Sequence, residues 1–355
     1  MDNLIRKKID AMPLIKSPLQ SRYRNNILFS IGFNEKDEIE IGPMVKGKKV
    51  KNSRSNNLVS ELCIQVCEGV KEFIITQSKV PIVRYPELDG CWRHIHIKEN
   101  FENQYIINFR LQNYSKYEPE IELELNMLVK FLQEKLDAEI LGLYYQNSDK
   151  LKEVTIFDEL YTIYKKSNLI KCFLGKKFII HPLTFLQINL KAGELMYMEL
   201  EKMIKKRICS KGNKRFVLYD MCCGIGVYSV LFHEYFDECI GIDYNPNNIK
   251  IAKEMKVINN INNIKFLEGK IEEIMEKTFK EDSREKILIF NPARSGLSTS
   301  ALNFINKRKN ESFIFILCES KSIGSLNKIF KDLNYCFKIE MFVETSHFEY
   351  ILQVT

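Results

Sequence analysis

A cysteine and a glutamate late in the chain have the types and positions for covalent chemistry. Cys318 directly follows an apolar run at residues 312–317, and Glu349 precedes the last apolar run, at 350–354. A thiolate is a strong nucleophile, and a carboxylate can remove a proton from the intermediate that a thiolate forms. A cysteine at a strand end is also explained as a small buried hydrophobe, and the segment around His347 as a solvated turn. The sequence leaves both interpretations open.

A glycine-containing turn upstream has the form of a nucleotide-binding turn. Residues 220–226 read Asp-Met-Cys-Cys-Gly-Ile-Gly after a short apolar run, and Asp243 ends the next apolar run. Two glycines let the backbone approach an adenosine-type ligand, and a carboxylate after the neighbouring strand suits its ribose hydroxyls. A dinucleotide fingerprint would need a third glycine where this chain has Ser229. The pattern favours an adenosine cofactor, with a merely tight turn as the alternative.

The elements that must position these residues alternate between strands and helices. We expect strands at 216–221, 239–242, 264–267, 287–290, 313–317, 337–342 and 350–354, and helices ending at 236 and spanning 246–257. This alternation predicts an α/β fold with a doubly wound, mostly parallel sheet, which binds ligands at the carboxyl ends of its strands. The first half is predicted as mixed α/β, with strands at 26–33 and 92–97 and helices at 59–75 and 120–137. We place the boundary near Gly175, giving domains 1–175 and 176–355.

Composition restricts the class of protein. The 355 residues carry 53 Lys and Arg against 46 Asp and Glu, a net charge of +7, and 45% of them are hydrophobic. This apolar content excludes a disordered chain, and no apolar run approaches the roughly 18 residues of a membrane span. The first residues lack the apolar segment of a signal peptide, so we expect an intracellular protein with reduced cysteines. No C-x-x-C pair supports a zinc site, and we expect no metal.

Positive charge without acids is concentrated at residues 46–54. Such a run is either a solvated loop or a surface for phosphates, and a net charge of this size permits nucleic acid without requiring it. Arg24, Arg84 and Arg93 are further candidates for phosphate contacts.

A thiol, a carboxylate and a methyl donor at one sheet edge meet a specific chemical need. Carbon 5 of uracil is too weak a nucleophile to attack a sulfonium methyl group, but thiolate addition at carbon 6 creates an enolate that can. A base must then remove the proton from carbon 5 before the thiol leaves. Cys318, Glu349 and an adenosine-type methyl donor would supply this set.

Motifs over most of the chain resemble those of the RNA 5-methyluridine methyltransferases, particularly the eukaryotic-type tRNA enzymes that act on the T-loop uridine. The family's YRNK…FSIG segment is similar to residues 23–25 with 29–32, and its GxWR strand to residues 90–93. Its DxxCGxG, DPxR, SCNP and FPxTxHxE motifs are similar to residues 220–226, 291–294, 317–320 and 342–349.

This resemblance implies a class I methyltransferase domain behind an RNA-binding mixed α/β domain, with S-adenosylmethionine as cofactor and uridine-54 of tRNA as target. It implies Cys318 as nucleophile and Glu349 as base, with His347 orienting the site. The residues implied for the cofactor are Gln187, Cys222, Gly224, Asp243 and Asn291. The alternatives are a uridine methyltransferase acting on ribosomal RNA and a catalytically inactive RNA-binding member of the family. We expect a monomer without membrane attachment or metal cluster.

Several residues depart from the family pattern within the expected site. Asn291 stands where the family has Asp, Cys222 where it has an aromatic residue, and Glu319 and Ser320 where it has Asn-Pro. A carboxylate at 319 beside the thiol would raise the pKa of Cys318 and oppose thiolate formation. Both catalytic side chains are present, so we predict an active enzyme.

Overall fold

Two compact units make up the protein. The computed structural model describes residues 3–85, 87–147, 159–279, 283–345 and 347–354. The first unit comprises Met1–Leu19, Cys172–Phe178 and Asn189–Thr355, and the second comprises Gln20–Lys171 and Ile179–Ile188. Short segments of each unit are therefore distant in sequence from the rest of it. A single boundary near Gly175, with domains 1–175 and 176–355, stays a prediction.

The strands and helices alternate as follows along the described residues. The strands are β1 (Leu14–Ile15), β2 (Asn26–Phe33), β3 (Ile39–Gly42), β4 (Trp92–Glu99), β5 (Gln104–Leu111), β6 (Glu139–Asn147), β7 (Tyr161–Lys165), β8 (Leu169–Phe173), β9 (Lys176–Ile180), β10 (Phe216–Met221), β11 (Glu238–Asp243), β12 (Ile264–Glu268), β13 (Glu285–Phe290), β14 (Ser312–Leu317), β15 (Asn334–Ile339) and β16 (Glu349–Val354). The helices are α1 (Asn3–Asp10), α2 (Glu61–Thr76), α3 (Tyr114–Tyr117), α4 (Glu120–Lys135), α5 (Leu190–Cys209), α6 (Val227–Phe232), α7 (Pro246–Ile258), α8 (Ile271–Thr278), α9 (Thr299–Asn306) and α10 (Ser320–Ile329).

The first unit is built on a sheet with the order β1-β15-β16-β14-β13-β10-β11-β12. Strands β10 to β14 are parallel to their neighbours, whereas β16 is antiparallel to both β14 and β15. The predicted doubly wound, mostly parallel α/β sheet is confirmed. Because the parallel strands end at one edge, the residues that follow β10, β11, β13 and β14 are brought to the same side of the sheet.

Continuous apolar runs explain why these strands form the centre of the sheet. All six residues of β10 are buried, as are all six of β14. Strands covered on both faces need apolar side chains at nearly every position, unlike strands with one face in water. The core of this unit includes Val217, Tyr219, Leu288, Phe313 and Phe315.

Helix starts in this unit use side-chain caps. Asn189 accepts a hydrogen bond from the backbone N–H of Ala192 and begins α5. Asn245 accepts from the N–H of Asn247, and Pro246 takes the first position of α7. Both arrangements satisfy amides that have no partner inside the helix.

The second unit has a sheet with the order β3-β2-β4-β5-β6-β7, in which β5 and β6 are parallel and the other pairs antiparallel. Helices α2 and α4 contribute to an apolar core with one face of this sheet, through residues such as Val66, Leu128, Ile95 and Phe109. The expected mixed α/β arrangement of this half is confirmed.

Candidate active site

The turn after β10 contains residues in unusual backbone conformations. Cys222, Gly224 and Gly226 have left-handed φ angles of 58°, 54° and 80°. A Cβ on Gly226 would lie 2.5 Å from the ring of Phe266, whereas a Cβ on Gly224 would meet nothing within 4 Å. A left-handed φ is costly for a cysteine, so the turn holds Cys222 in a strained shape. Open space beside Gly224 suits the ligand that the sequence predicts there.

Asp220 ties the start of α6 to the end of β10. Its Oδ2 accepts hydrogen bonds from the backbone N–H of Ser229 at 3.0 Å and from the Ser229 hydroxyl at 2.8 Å. Asp220 is completely buried, and burial raises its pKa to about 7. Ser229, the residue that disfavours a dinucleotide fingerprint, thus anchors the helix.

Asp243 lies at the end of β11 with its carboxylate already bonded within the protein. Its Oδ2 accepts from the N–H of Gly224 at 2.9 Å, and its Oδ1 from the N–H of Asn245 at 2.9 Å and the Asn248 amide at 3.2 Å. A carboxylate has about four acceptor sites, and three are used here. Two ribose hydroxyls would therefore need the remaining site and the place of the longest bond, that of Asn248.

A cavity of about 320 Å³ opens at this edge of the sheet. Its volume is in the range of small-molecule sites, which is roughly 300–1,000 Å³. Of the residues predicted to hold the cofactor, Cys222 and Asp243 line it, and Asn291 directly precedes the lining residue Pro292. The remaining lining is formed by Ile242, Tyr244, Gly269, Lys270, Ile271, Glu272, Gly296, Leu297, Ser298 and Ala301.

Asn291 follows β13 and is bonded to a tyrosine that sequence reasoning missed. The Nδ2 of Asn291 donates to the hydroxyl of Tyr228 at 2.9 Å. Strands β10 and β13 are neighbours with Met221 opposite Phe290, so the residues after them start side by side. The only sequence signal for Tyr228 is its place two residues after Gly226, at the start of the helix.

Cys318 and Glu349 lie at the same end of two adjacent strands. In the antiparallel pair of β14 and β16, Leu317 is opposite Tyr350. Cys318 is the next residue after Leu317, and Glu349 is the one before Tyr350. Opposed residues of antiparallel strands have Cα atoms roughly 5 Å apart. The two predicted catalytic side chains therefore start from facing positions.

Burial and nearby charges shift the pKa of both Cys318 and Glu349. Burial raises the pKa of Glu349 to about 7, while the guanidinium of Arg294 acts in the opposite direction. Burial also raises the pKa of Cys318, and the carboxylates of Glu349 and Glu319 raise it further, whereas Arg294 lowers it. The effect of Glu319 has the direction expected from the sequence. Arg294 is exposed and is the cation that favours the charged forms of both groups.

The two remaining residues of the sequence prediction are Gln187 and His347. Gln187 belongs to the second unit; it is 4% exposed, and its Oε1 has no hydrogen-bond partner among the described residues. His347 is exposed, and its backbone N–H donates to the hydroxyl of Thr345. Their roles stay predictions.

The second face of the sheet in the second unit carries polar and aromatic side chains in cross-strand rows. His94 is opposite Ser30 and Arg110, and His96 is opposite Leu28 and Asn108. Burial lowers the pKa of His94 to about 3 and lowers that of His96 as well. Both imidazoles are therefore neutral at physiological pH. The rows continue on β6 with Gln146 and Tyr144.

Three of the arginines expected to contact phosphates, Arg54, Arg84 and Arg93, are bonded to side chains of the protein. Arg93 is 8% exposed and donates to Gln112 at 2.9 Å, so its prediction as a surface phosphate contact is wrong. Arg54 is bonded to the carboxylates of Glu61 and Glu68. Local ion pairing leaves less of the basic segment available for RNA than its sequence indicates.

Comparisons with known proteins agree with this architecture. Residues 213–353 match the family model described as a methyltransferase domain. A protein of Clostridium tetani named an uncharacterized RNA methyltransferase is 24% identical over 350 residues, covering 97% of this chain and 74% of that protein. The human tRNA (uracil-5-)-methyltransferase homolog B is 25% identical over 329 residues, covering 89% of this chain and 64% of its own length.

A solved structure shares the fold over nearly the whole chain. It is the Pyrococcus abyssi tRNA (uracil-54, C5)-methyltransferase in complex with S-adenosyl-L-homocysteine, with a TM-score of 0.78 and 18% identity over 99% of this chain and 81% of that one. The expected class I methyltransferase fold is confirmed, and so is the expectation of a methyltransferase domain similar to RNA methyltransferases.

The described ranges contain neither a helix that could span a membrane nor a metal site. No helix there is long and apolar enough to cross a membrane. No cluster of three His, Cys, Asp or Glu side chains in the described part of the chain could hold a metal ion.

Proposed function

We propose that this protein, a relative of RNA methyltransferases, transfers a methyl group from S-adenosylmethionine to carbon 5 of a uridine in RNA, with uridine-54 of tRNA as the target. One observation carries the proposal most: the register of β14 and β16 sets Cys318 against Glu349 at the edge that carries the cavity. A nucleophile and a buried carboxylate of raised pKa are what carbon-5 methylation requires.

The two side chains act at successive steps. Cys318 loses its proton to solvent, and its thiolate adds to carbon 6 of the uracil, which places the electron pair on carbon 5. Bound S-adenosylmethionine supplies the electrophilic methyl group that carbon 5 takes up. Glu349 then accepts the proton from carbon 5, and the electron pair returns to expel the Cys318 thiolate. A carboxylate of pKa about 7 is well matched to this transfer at neutral pH.

Cofactor contacts follow from the turn, the cavity and the resemblance. Asp243 would accept from the ribose, and the backbone at Gly224 would allow close approach. Cys222 lines the cavity as a thiol, because burial raises its pKa to about 12. Gln187 and Asn291 complete the proposed set. The residues present fit an adenosyl cofactor in donor type and in cavity size.

RNA recognition is assigned to the second unit. Lys46, Lys48 and Lys51 of its basic segment are exposed and would contact the phosphates of the RNA backbone. The target uridine must leave its stack before a thiolate can reach carbon 6. The names of the human relative and of the Pyrococcus structure support tRNA as the RNA.

Transfer of a labelled methyl group tests the proposal. Unmodified tRNA, the same tRNA with cytidine at position 54, and a ribosomal RNA fragment are each incubated with enzyme and labelled S-adenosylmethionine. We expect label in the first RNA alone, none with Cys318→Ala, and normal transfer with Cys336→Ala, a matched half-buried cysteine on β15. Label in ribosomal RNA would refute the tRNA assignment. RNA binding without methyl transfer would support an inactive RNA-binding protein instead.

A further inference from the structure

We propose that Tyr228 is a positioning residue that sets the orientation of the Asn291 amide, so that the amide oxygen accepts a hydrogen bond from bound S-adenosylmethionine. The inference rests on the proposed function, because it assigns Asn291 to the cofactor. Asn291 donates through Nδ2 to the Tyr228 hydroxyl at 2.9 Å. Its Oδ1 accepts no hydrogen bond from the described residues, and the next residue, Pro292, lines the cavity.

The sequence holds Tyr228 firmly in this place. Gly226 precedes α6 in a left-handed conformation, and Ser229 is bonded twice to the buried Asp220. The ring of Tyr228 is 4% exposed and packs edge-on against Tyr197, with ring centroids 5.8 Å apart. A hydroxyl fixed at both the backbone and the ring gives Asn291 a stationary partner.

An amide needs such a partner, whereas a carboxylate does not. Turning a primary amide by 180° exchanges a donor for an acceptor with almost no change in shape. The two oxygens of a carboxylate are equivalent acceptors, so the same turn changes nothing. The resembling family has Asp where this chain has Asn291. Tyr228 therefore matters because residue 291 is an amide.

Binding measurements with Asn and with Asp at position 291 test the inference. The dissociation constant of S-adenosylmethionine is measured by calorimetry for the wild type, Tyr228→Phe, Asn291→Asp and the double variant. Loss of one hydrogen bond should weaken binding of Tyr228→Phe by about 3- to 10-fold. In the Asn291→Asp background, the same tyrosine change should alter binding by less than about twofold, since an orientation no longer has to be chosen.

Kinetics and a matched control separate positioning from general stability. For Tyr228→Phe, we expect the KM for S-adenosylmethionine to rise with the dissociation constant, while kcat at saturating cofactor stays within about twofold. Tyr197→Phe removes a hydroxyl from the tyrosine packed beside Tyr228 and should leave cofactor affinity unchanged.

Two results would overturn the inference. One is unchanged cofactor affinity in Tyr228→Phe, and the other is an equal loss in both backgrounds, which indicates a structural role. If the wild type binds no S-adenosylmethionine, the proposed function fails, and this inference fails with it. If the wild type binds the cofactor but methylates no RNA, only the proposed activity fails and the coupling of residues 228 and 291 is still measured.

Discussion

The pH dependence of the step assigned to Glu349 is the most quantitative consequence of the site. Burial raises the pKa of this carboxyl from 4.5 to about 7, and the carboxylate form is the one that accepts the carbon-5 proton. Breakdown of the methylated covalent complex should therefore be fast above pH 7 and slow below it. Formation of the complex depends instead on the Cys318 thiolate.

The size of the effect follows from one titrating group. With a pKa of about 7, the fraction of Glu349 in the basic form is about 91% at pH 8 and about 9% at pH 6, so the breakdown rate should fall about tenfold. Arg294 lowers this pKa. In Arg294→Met, the midpoint of the profile should therefore move to higher pH.

Single-turnover experiments with unmodified tRNA separate the two steps. The protein–RNA complex is followed on denaturing gels after excess labelled S-adenosylmethionine is added at pH 6, 7 and 8. In Glu349→Gln the complex should form and persist at every pH, because the amide cannot accept the proton. Equally fast breakdown in the wild type at pH 6 and pH 8, or product release by Glu349→Gln at the wild-type rate, would refute the role of Glu349 as the base.

Three further predictions concern single side chains. Replacing Glu319 by Gln should lower the pKa of Cys318, so alkylation of this cysteine by iodoacetamide at pH 7, followed by peptide mass spectrometry, should be faster than in the wild type. Asp243→Asn should weaken S-adenosylmethionine binding by about 10- to 100-fold, the value of hydrogen bonds to a charged group, when measured by calorimetry. The third change is Asp220→Asn. Burial raises the pKa of the wild-type Asp220 carboxyl from 3.8 to about 7. The free energy of unfolding of the wild type therefore falls as the pH rises from about 4 to about 7. The neutral variant avoids that loss, and urea unfolding should show a relative gain of up to about 4 kcal/mol between pH 4 and pH 8.

Continuous apolar runs allowed the bounds of several strands in the sheet of the first unit to be predicted closely. Strand β10 has the expected bounds, Phe216–Met221, and β14 begins one residue earlier than expected. The strand expected at 337–342 is instead Asn334–Ile339. Its first residues are exposed or half-buried and pair with β16 through the backbone. Their side-chain pattern therefore does not indicate a strand.

Strand order was the part of the site that local patterns could not predict. The positions of Cys318 and Glu349 at strand ends indicated a shared edge, but not that β16 lies between β14 and β15. That order is decided by pairing between distant segments. The bond between Tyr228 and Asn291 also depends on it, because it joins residues that follow two neighbouring strands, β10 and β13.

Covalent capture of the enzyme on RNA tests the central claim most directly, that Cys318 adds to carbon 6 of a uridine. In tRNA made with 5-fluorouridine, fluorine replaces the proton that Glu349 would remove, so the methylated complex cannot break down. We predict a stable complex, resistant to denaturation, for the wild type and for Cys336→Ala in the presence of S-adenosylmethionine, and none for Cys318→Ala. Capture of Cys318→Ala to the wild-type extent, or methylation of ordinary tRNA by a wild type that is never captured, would contradict it.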